Sequence, residues 1–440
     1  MKRKRWLSVC IFGMVACGDA ELLGENGDES RLDGEVPVHK EPTLGVQFPN
    51  PITLPETFEI EPERIVPATW TVPMQPQPGS EMTDGLSLVQ VEAAPDGNVW
   101  VARLLDPART LLRLDGSGRE VAAYATMDPT VADNLLGSLT VSPSLSPVFE
   151  AKTVPRLGKG ANTCSAWIPG EGGRLQALTA PRGPKVERAV AGTDETLRYV
   201  TGGDDRWLRI HDARNDGEVM WSRAMEPPSG FSRMIEPLPA NSVLTPPVTV
   251  LSDGSTLFLR ATPKAGQEDS SLVTGMLTRV DARGTVRWHM TFERNLDATA
   301  IPSMLLAPMP DGGFAMTIAN GGDSWVYNFD RNARLLGSWQ IAPANYYGEA
   351  PDALVSDVAG NLYFALVTGA RRSPRLTVCK LAANDAGATP QCVGLDGGTG
   401  ASVRISDLAS PQPDAVVVAY ATARDASAAS ESWQLSRVDF

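Results

Sequence analysis

The side chains in this 440-residue chain that could do chemistry are three histidines, five cysteines and scattered carboxylates. His39, His211 and His289 lie far apart, whereas zinc draws three or four ligands from clustered positions, so no metal site is expected. Asp204 and Asp205 would form an acid and base pair if they faced a central channel. The strings Asp212 to Gly217 and Ala383 to Gly387, the latter holding Asn384, carry oxygen donors of the kind calcium takes. Neither matches the twelve-residue loop with its closing Glu, and ordinary turns, in which Asn and Asp bond nearby backbone, account for both. GxSxG, HExxH, GxxxxGK[ST] and a helix-opening GxGxxG do not occur. Nucleophile, zinc and phosphate arguments therefore have no motif to stand on, and no catalytic, cofactor-binding or metal-ligating residue is assigned.

The cysteines say more about location. Lys2, Arg3, Lys4 and Arg5 precede a mostly apolar run from Trp6 to Ala16, which ends at Cys17. Such a start reads as a secretory signal, and the run is shorter than the roughly 20 residues that a membrane-spanning helix needs. Cys10 falls inside this signal. Cys379 and Cys392 flank the turn-like stretch AANDAGATPQ, so two antiparallel strands could bring them face to face in an oxidising compartment. A Cys379–Cys392 disulfide is expected, with Cys164 left as a single buried thiol.

Met14-Val15-Ala16-Cys17 resembles the lipobox of bacterial lipoproteins, although that family prefers leucine where Met14 stands. The resemblance implies cleavage before Cys17, acylation of its side chain and a protein anchored to a membrane without spanning it. Gly18 is not the aspartate that the family links with retention at the inner membrane. The implied address is exported and lipid-anchored in the cell envelope, at the outer membrane on either its periplasmic or its surface face.

Formal net charge is −13 and becomes −17 once the four cations of residues 1–16 are gone. A polyanion without a basic patch repels nucleic acid and anionic headgroups, so contact with a membrane is expected only through the lipid. With 42% hydrophobic and 21% charged residues, the chain can bury a large core. Residues 17–68 are rich in Glu, Asp, Pro and Gly without sustained periodicity and read as an extended acidic linker, with room for a short strand near its end.

From residue 69 onward one formula recurs. A strand ending in an acidic turn reads LLRLDGSG at 111–118, WLRIHDARNDG at 207–217, LTRVDARG at 277–284, VYNFDRNAR at 326–334 and QLSRVDF at 434–440, with weaker copies at 164–172 and 377–387. A β-branched and aromatic strand precedes each, often behind a Gly turn such as Asp96-Gly97 or Asp253-Gly254. Several copies continue into a further strand led by Trp221, Trp288 or Trp339. Seven such repeats of four short strands predict an all-β fold, a single seven-bladed β-propeller of four-stranded antiparallel blades over 69–440. The last repeat stops after its third strand. Residues 69–75, with Trp70 and Met74, have the character of the missing fourth strand, so the ring is expected to close by pairing an N-terminal strand with the last blade.

The repeats resemble those of quinoprotein-type and related lyase-like propellers. In the quinoprotein family a Gly, three residues and a Trp dock neighbouring blades, and Gly217 with Trp221 and Gly284 with Trp288 match that spacing. The other blades depart from it, and the sequence has no vicinal cysteine pair of the kind found beside the quinone in that family, so no cofactor is expected. The leading expectation is a monomeric, lipid-anchored binding or scaffold module for an envelope protein or small ligand. The alternative is an enzyme, either a quinone-dependent dehydrogenase or a propeller lyase or glycosidase.

Overall fold

The structure is a computed structural model. It describes residues 44–47, 57–74, 89–103, 109–126, 134–142, 147–153, 163–178, 186–192, 196–202, 208–225, 248–262, 272–295, 304–320, 323–343, 351–370, 373–423 and 431–440.

Four short strands come first: β1 (Leu44–Gln47), β2 (Thr57–Ile60), β3 (Arg64–Val66) and β4 (Trp70–Pro73). Blade I holds β5 (Val89–Ala93), β6 (Val99–Arg103), β7 (Leu111–Leu114) and β8 (Glu120–Tyr124). Blade II holds β9 (Asn134–Val141), β10 (Pro147–Thr153), β11 (Thr163–Pro169) and β12 (Leu175–Ala177). Blade III holds β13 (Val186–Ala191), β14 (Thr196–Gly202), β15 (Leu208–Arg214) and β16 (Val219–Ala224). Blade IV holds β17 (Val248–Val250), β18 (Thr256–Thr262), β19 (Leu272–Val280) and β20 (Val286–Asn295). Blade V holds β21 (Met304–Pro308), β22 (Phe314–Asn320), β23 (Asp323–Phe329) and β24 (Leu335–Pro343). Blade VI holds β25 (Ala353–Ser356), β26 (Asn361–Thr368), β27 (Arg375–Ala382) and β28 (Gln391–Thr399). Blade VII holds β29 (Ser402–Gln412), β30 (Ala415–Ala423) and β31 (Glu431–Asp439).

Each blade is an antiparallel sheet in chain order, and the first strands touch one another in succession until β29 meets β5. The chain is therefore a seven-bladed β-propeller. β4 supplies the fourth strand of blade VII, antiparallel to β31, with Trp70 opposite Arg437 and Pro73 opposite Gln434. The closure expected from residues 69–75 is in place.

Central strands such as Val99–Arg103 and Asn361–Thr368 are buried along nearly their whole length, so each blade has two apolar faces, and the core is divided accordingly into seven clusters, one between each pair of neighbours. Leu111 and Trp100 of blade I meet Phe149 and Trp167 of blade II. Val200 and Ile210 of blade III meet Phe258 and Val280 of blade IV. At the seam, Val91 and Leu112 of blade I meet Trp433, Leu435 and Met74 of blade VII.

Polar turns key these faces together. Asp115 Oδ1 accepts the N–H groups of Ser117 and Arg119 at 2.9 and 3.1 Å, and Asp281 Oδ1 accepts those of Arg283 and Thr285 at 2.9 and 2.8 Å. The turn then closes on a glycine of positive φ, Gly118 at +78° and Gly284 at +80°. A Cβ on Gly118 would lie 2.7 Å from the Trp70 ring, and one on Gly284 would lie 2.8 Å from the Trp221 ring. Trp70 Nε1 donates to Gly116 O and Trp221 Nε1 to Ala282 O, both at 3.0 Å. A fourth-strand tryptophan thus lies flat on the next blade's turn, which only a residue without a side chain permits. Trp339, two residues further along its strand, reaches Ala388 O of blade VI in the same manner at 3.0 Å.

Part of the stretch read as linker is built into the propeller. β1 runs parallel to β20, β2 to β24 and β3 to β28, each adding a fifth strand to blades IV, V and VI before the chain enters blade VII as β4. These strands of three or four residues are too brief to show a period among the surrounding Pro and Glu. Cys379 lies opposite Cys392 across β27 and β28, and a disulfide joins them with a Cα–Cα distance of 4.1 Å.

Gly284→Ala should lower stability by about 1–3 kcal/mol, because it adds a clash with Trp221 to the cost of positive φ. Gly397→Ala, at φ +81° with no heavy atom within 4 Å of the added Cβ, should cost only the backbone share. Equal shifts in urea midpoint for the two variants would mean that the tryptophan seat contributes nothing.

Candidate functional site

The innermost strands β5, β9, β13, β17, β21, β25 and β29 surround the axis, and the inner edge of such a strand carries backbone groups that no neighbouring strand pairs. On one side of the ring, side chains from the adjacent blade take up these groups. Val91 N–H donates to Asp407 Oδ2 at 3.0 Å across the seam between blades I and VII. Ala191 N–H donates to Thr140 Oγ1 at 2.8 Å, and Ala189 N–H to Glu150 Oε2 at 3.2 Å, both between blades II and III. Acidic side chains are thereby drawn to the axis by the needs of the backbone.

Four ionisable groups gather near these edges. Asp407 also accepts Leu408 N–H at 2.9 Å, and Ser406 Oγ donates to Val89 O beside it. Glu92, on β5, is close enough to feel the Asp407 charge. Glu150 is fully buried and lies 3.7 Å from Arg188 Nε, while the Arg188 charge also reaches Asp407. Glu92 and Asp407 keep part of their surface accessible, yet protein encloses both, as expected of groups facing a narrow axis. Burial, reinforced by Asp407, pushes the Glu92 carboxyl up to about 8. Burial likewise pushes Asp407 up to about 7, against the pull of the Val91 and Leu408 N–H groups and Arg188. Burial thus favours the neutral form of both carboxyls, and the Asp407 charge adds to the effect on Glu92.

The described residues singled out in the sequence lie elsewhere. Cys17, His39, Asp204 and Asp205 are outside the described residues. His211 and His289 sit in different blades, with His211 Nε2 bonded to Thr201 Oγ1 and His289 Nδ1 to Thr278 Oγ1, each at 2.8 Å. Burial, and secondarily Arg209, pushes His211 down to about 4. Asp212 forms an ion pair with buried Arg198, whose guanidinium stacks 5.0 Å from the Trp221 ring centroid and bonds Thr256 Oγ1 and Gly254 O of blade IV. That group clamps two blades. Asp216 and Asp385 each accept an N–H two residues on, at 3.0 and 2.9 Å, as turn residues do. Among the described residues, no three His, Cys, Asp or Glu side chains are placed to hold a metal.

Glu92, Asp407 and Arg188 were missed because they lie on first strands and the repeat was read from its second, third and fourth strands, whereas Glu150 lies within a second strand that reads as apolar. The signal was present in the first strands: VQVEA and SVRISDLAS alternate as strands do, yet carry charge where an innermost strand faces the axis.

No protein-family model matches the chain, and no curated protein matches it. Solved structures do. A protein of unknown function from Bacteroides caccae is 12% identical over 73% of this chain and 97% of its own, with a TM-score of 0.35. The NanB sialidase from Streptococcus pneumoniae is 11% identical over 84% and 70%, with a TM-score of 0.40. The β-propeller domain of the trilobed protease from Pyrococcus furiosus is 11% identical over 74% and 84%, with a TM-score of 0.39. These likenesses reach no further than the propeller fold.

The raised carboxyl makes a signed prediction. Glu92 binds its proton more tightly folded than unfolded, so its contribution to stability falls as pH rises from about 4.5 to about 8. Glu92→Gln should leave Tm nearly unchanged at pH 4.5 and raise it at pH 8.5, flattening the profile between. His211 acts oppositely, adding stability as pH rises from about 4 to 6.5. A Glu92→Gln profile parallel to that of the unsubstituted protein would show that Glu92 is not held neutral.

Proposed function

We propose that this chain is an exported binding module, tethered to the cell envelope by a lipid on Cys17, whose propeller holds a protein or small ligand. The observation that carries the reading is the strap formed by β1, β2 and β3. A segment between an anchor and a closing strand that pairs with three blades in turn spreads any pull on the N-terminus around the rim. β4, on which closure of the ring depends, is thereby shielded from that pull. The cationic and apolar start ending at Cys17 supports the same address, as does a disulfide between facing strands, a bond that persists in oxidising compartments. Loops at either end of a rigid ring are the usual place for recognition.

A second reading, a glycosidase- or lyase-like enzyme, is favoured by one feature, the Glu92–Asp407 pair. One protonated and one ionised carboxyl can divide the roles of general acid and base.

The two readings separate experimentally. Cys17→Ser should move the protein from the detergent phase to the aqueous phase in a Triton X-114 partition, and unchanged partitioning would refute the lipid. For the enzyme reading, a saccharide panel should reveal turnover that falls at least about 100-fold in Glu92→Gln and Asp407→Asn. No turnover, or turnover that survives both changes, removes that reading.

A further inference from the structure

We propose that the outer edge of β16 in blade III is a docking edge for an extended, acidic and aliphatic segment of a partner polypeptide, which adds there as a parallel fifth strand. The inference gives the binding module of the preceding section a class of partner, and it concerns a surface away from both the lipid and the axis.

Three sister edges show the mode. β20, β24 and β28 each accept a parallel strand on their outer side, with Leu44 opposite Trp288, Phe58 opposite Ile341 and Arg64 opposite Val393. The occupants share a chemistry. They read LGVQ, TFEI and RIV, and they lie among Glu41, Glu56, Glu59, Glu61 and Glu63. Among the described residues no strand pairs with the outer side of β16.

The seat differs in one respect that selects the partner. Counted from the third strand, Met290 faces Leu277, Trp339 faces Val326 and Val393 faces Val378, and all three fourth-strand residues are apolar and buried. The same position in blade III is Arg223, opposite Ile210 and only half-buried. A cation thus stands on this edge in a protein that is acidic overall. Val219 and Met220, 41% and 48% exposed, extend an apolar rim along the start of the strand. Backbone pairing would supply affinity, the rim would take aliphatic side chains, and Arg223 would favour carboxylates over cations.

The test uses the full chain and a fluorescein-labelled peptide, PETFEIEPE, which is the sequence of residues 55–63. Saturable binding is expected by anisotropy, weakened at least tenfold by Arg223→Glu and by 0.5 M salt, with slowed amide exchange at residues 221–224. The charge-reversed peptide PKTFKIKPK should bind Arg223→Glu better than the unsubstituted protein, which separates lost recognition from lost folding. Absence of saturable binding, binding indifferent to Arg223→Glu, or exchange protection confined to blade V overturns the proposal. Cys17→Ser protein should give the same isotherm, so failure here leaves the lipid anchor standing, and failure of the anchor leaves this edge standing.

Discussion

Every blade of this protein is apolar on both faces, and that constraint governs the rest. A sheet with two faces to bury cannot sit at the end of a row, so the row must close on itself, and the seven clusters between neighbours are the consequence. The seam between blades VII and I is where closure could fail. Four independent devices meet there: β4 completes blade VII, Trp70 covers Gly118, Arg437 Nη1 donates to Gly116 O at 3.0 Å, and Asp407 takes the Val91 amide. Two of the four come from residues 70–73, which lie far in sequence from the strand they complete.

Much of this was legible in the residues because it is local. The Asp and Gly turns, the leading tryptophans and the arginine of each LxRxD strand recur at blade length, and each has a neighbourly function that fixes its residue type. Arg279 of LTRVD bonds Asp253 at 2.6 Å in its own blade and the Arg331 carbonyl in the next. Where the residue type changes, the job persists with another partner. Lys380 in the corresponding strand of blade VI pairs with Asp414 of blade VII. The strap was not legible, since a three-residue strand such as Arg64–Val66 owes its conformation to the edge it meets rather than to any pattern of its own.

The candidate site was hidden for a different reason. Asp407 follows a register shift in β29, between Ile405 and Asp407, that turns its side chain toward blade I, and a bulge leaves no mark in an alternating pattern of polar and apolar residues. Glu150 sits on a second strand among Phe149 and Val148, where sequence alone suggests a buried apolar neighbour or an error of register. Its burial makes sense only once Ala189 N–H and Arg188 arrive from the next blade. Long-range partners decide which of the chain's many carboxylates matter, and those partners are set by the order of blades around the ring.

Both candidate surfaces follow from the same accounting of strand edges. A blade has an inner and an outer edge, and each presents amide and carbonyl groups that must find partners in protein, water or ligand. Around part of the axis the partners are carboxylates and hydroxyls from the adjoining blade, and one carboxylate so recruited, Asp407, loses water and gains basicity. On the rim of blades IV to VI the partner is the chain's own N-terminal segment. The two solutions differ in what they leave behind: a side-chain cap fixes a charge where solvent is scarce, while a strand cap consumes the edge and leaves none. The raised carboxyls Glu92 and Asp407 accordingly sit on innermost strands, and strand addition needs an outer edge that the strap does not cover. Among the described residues, blade III meets the second condition, with Arg223 in place of the apolar seat.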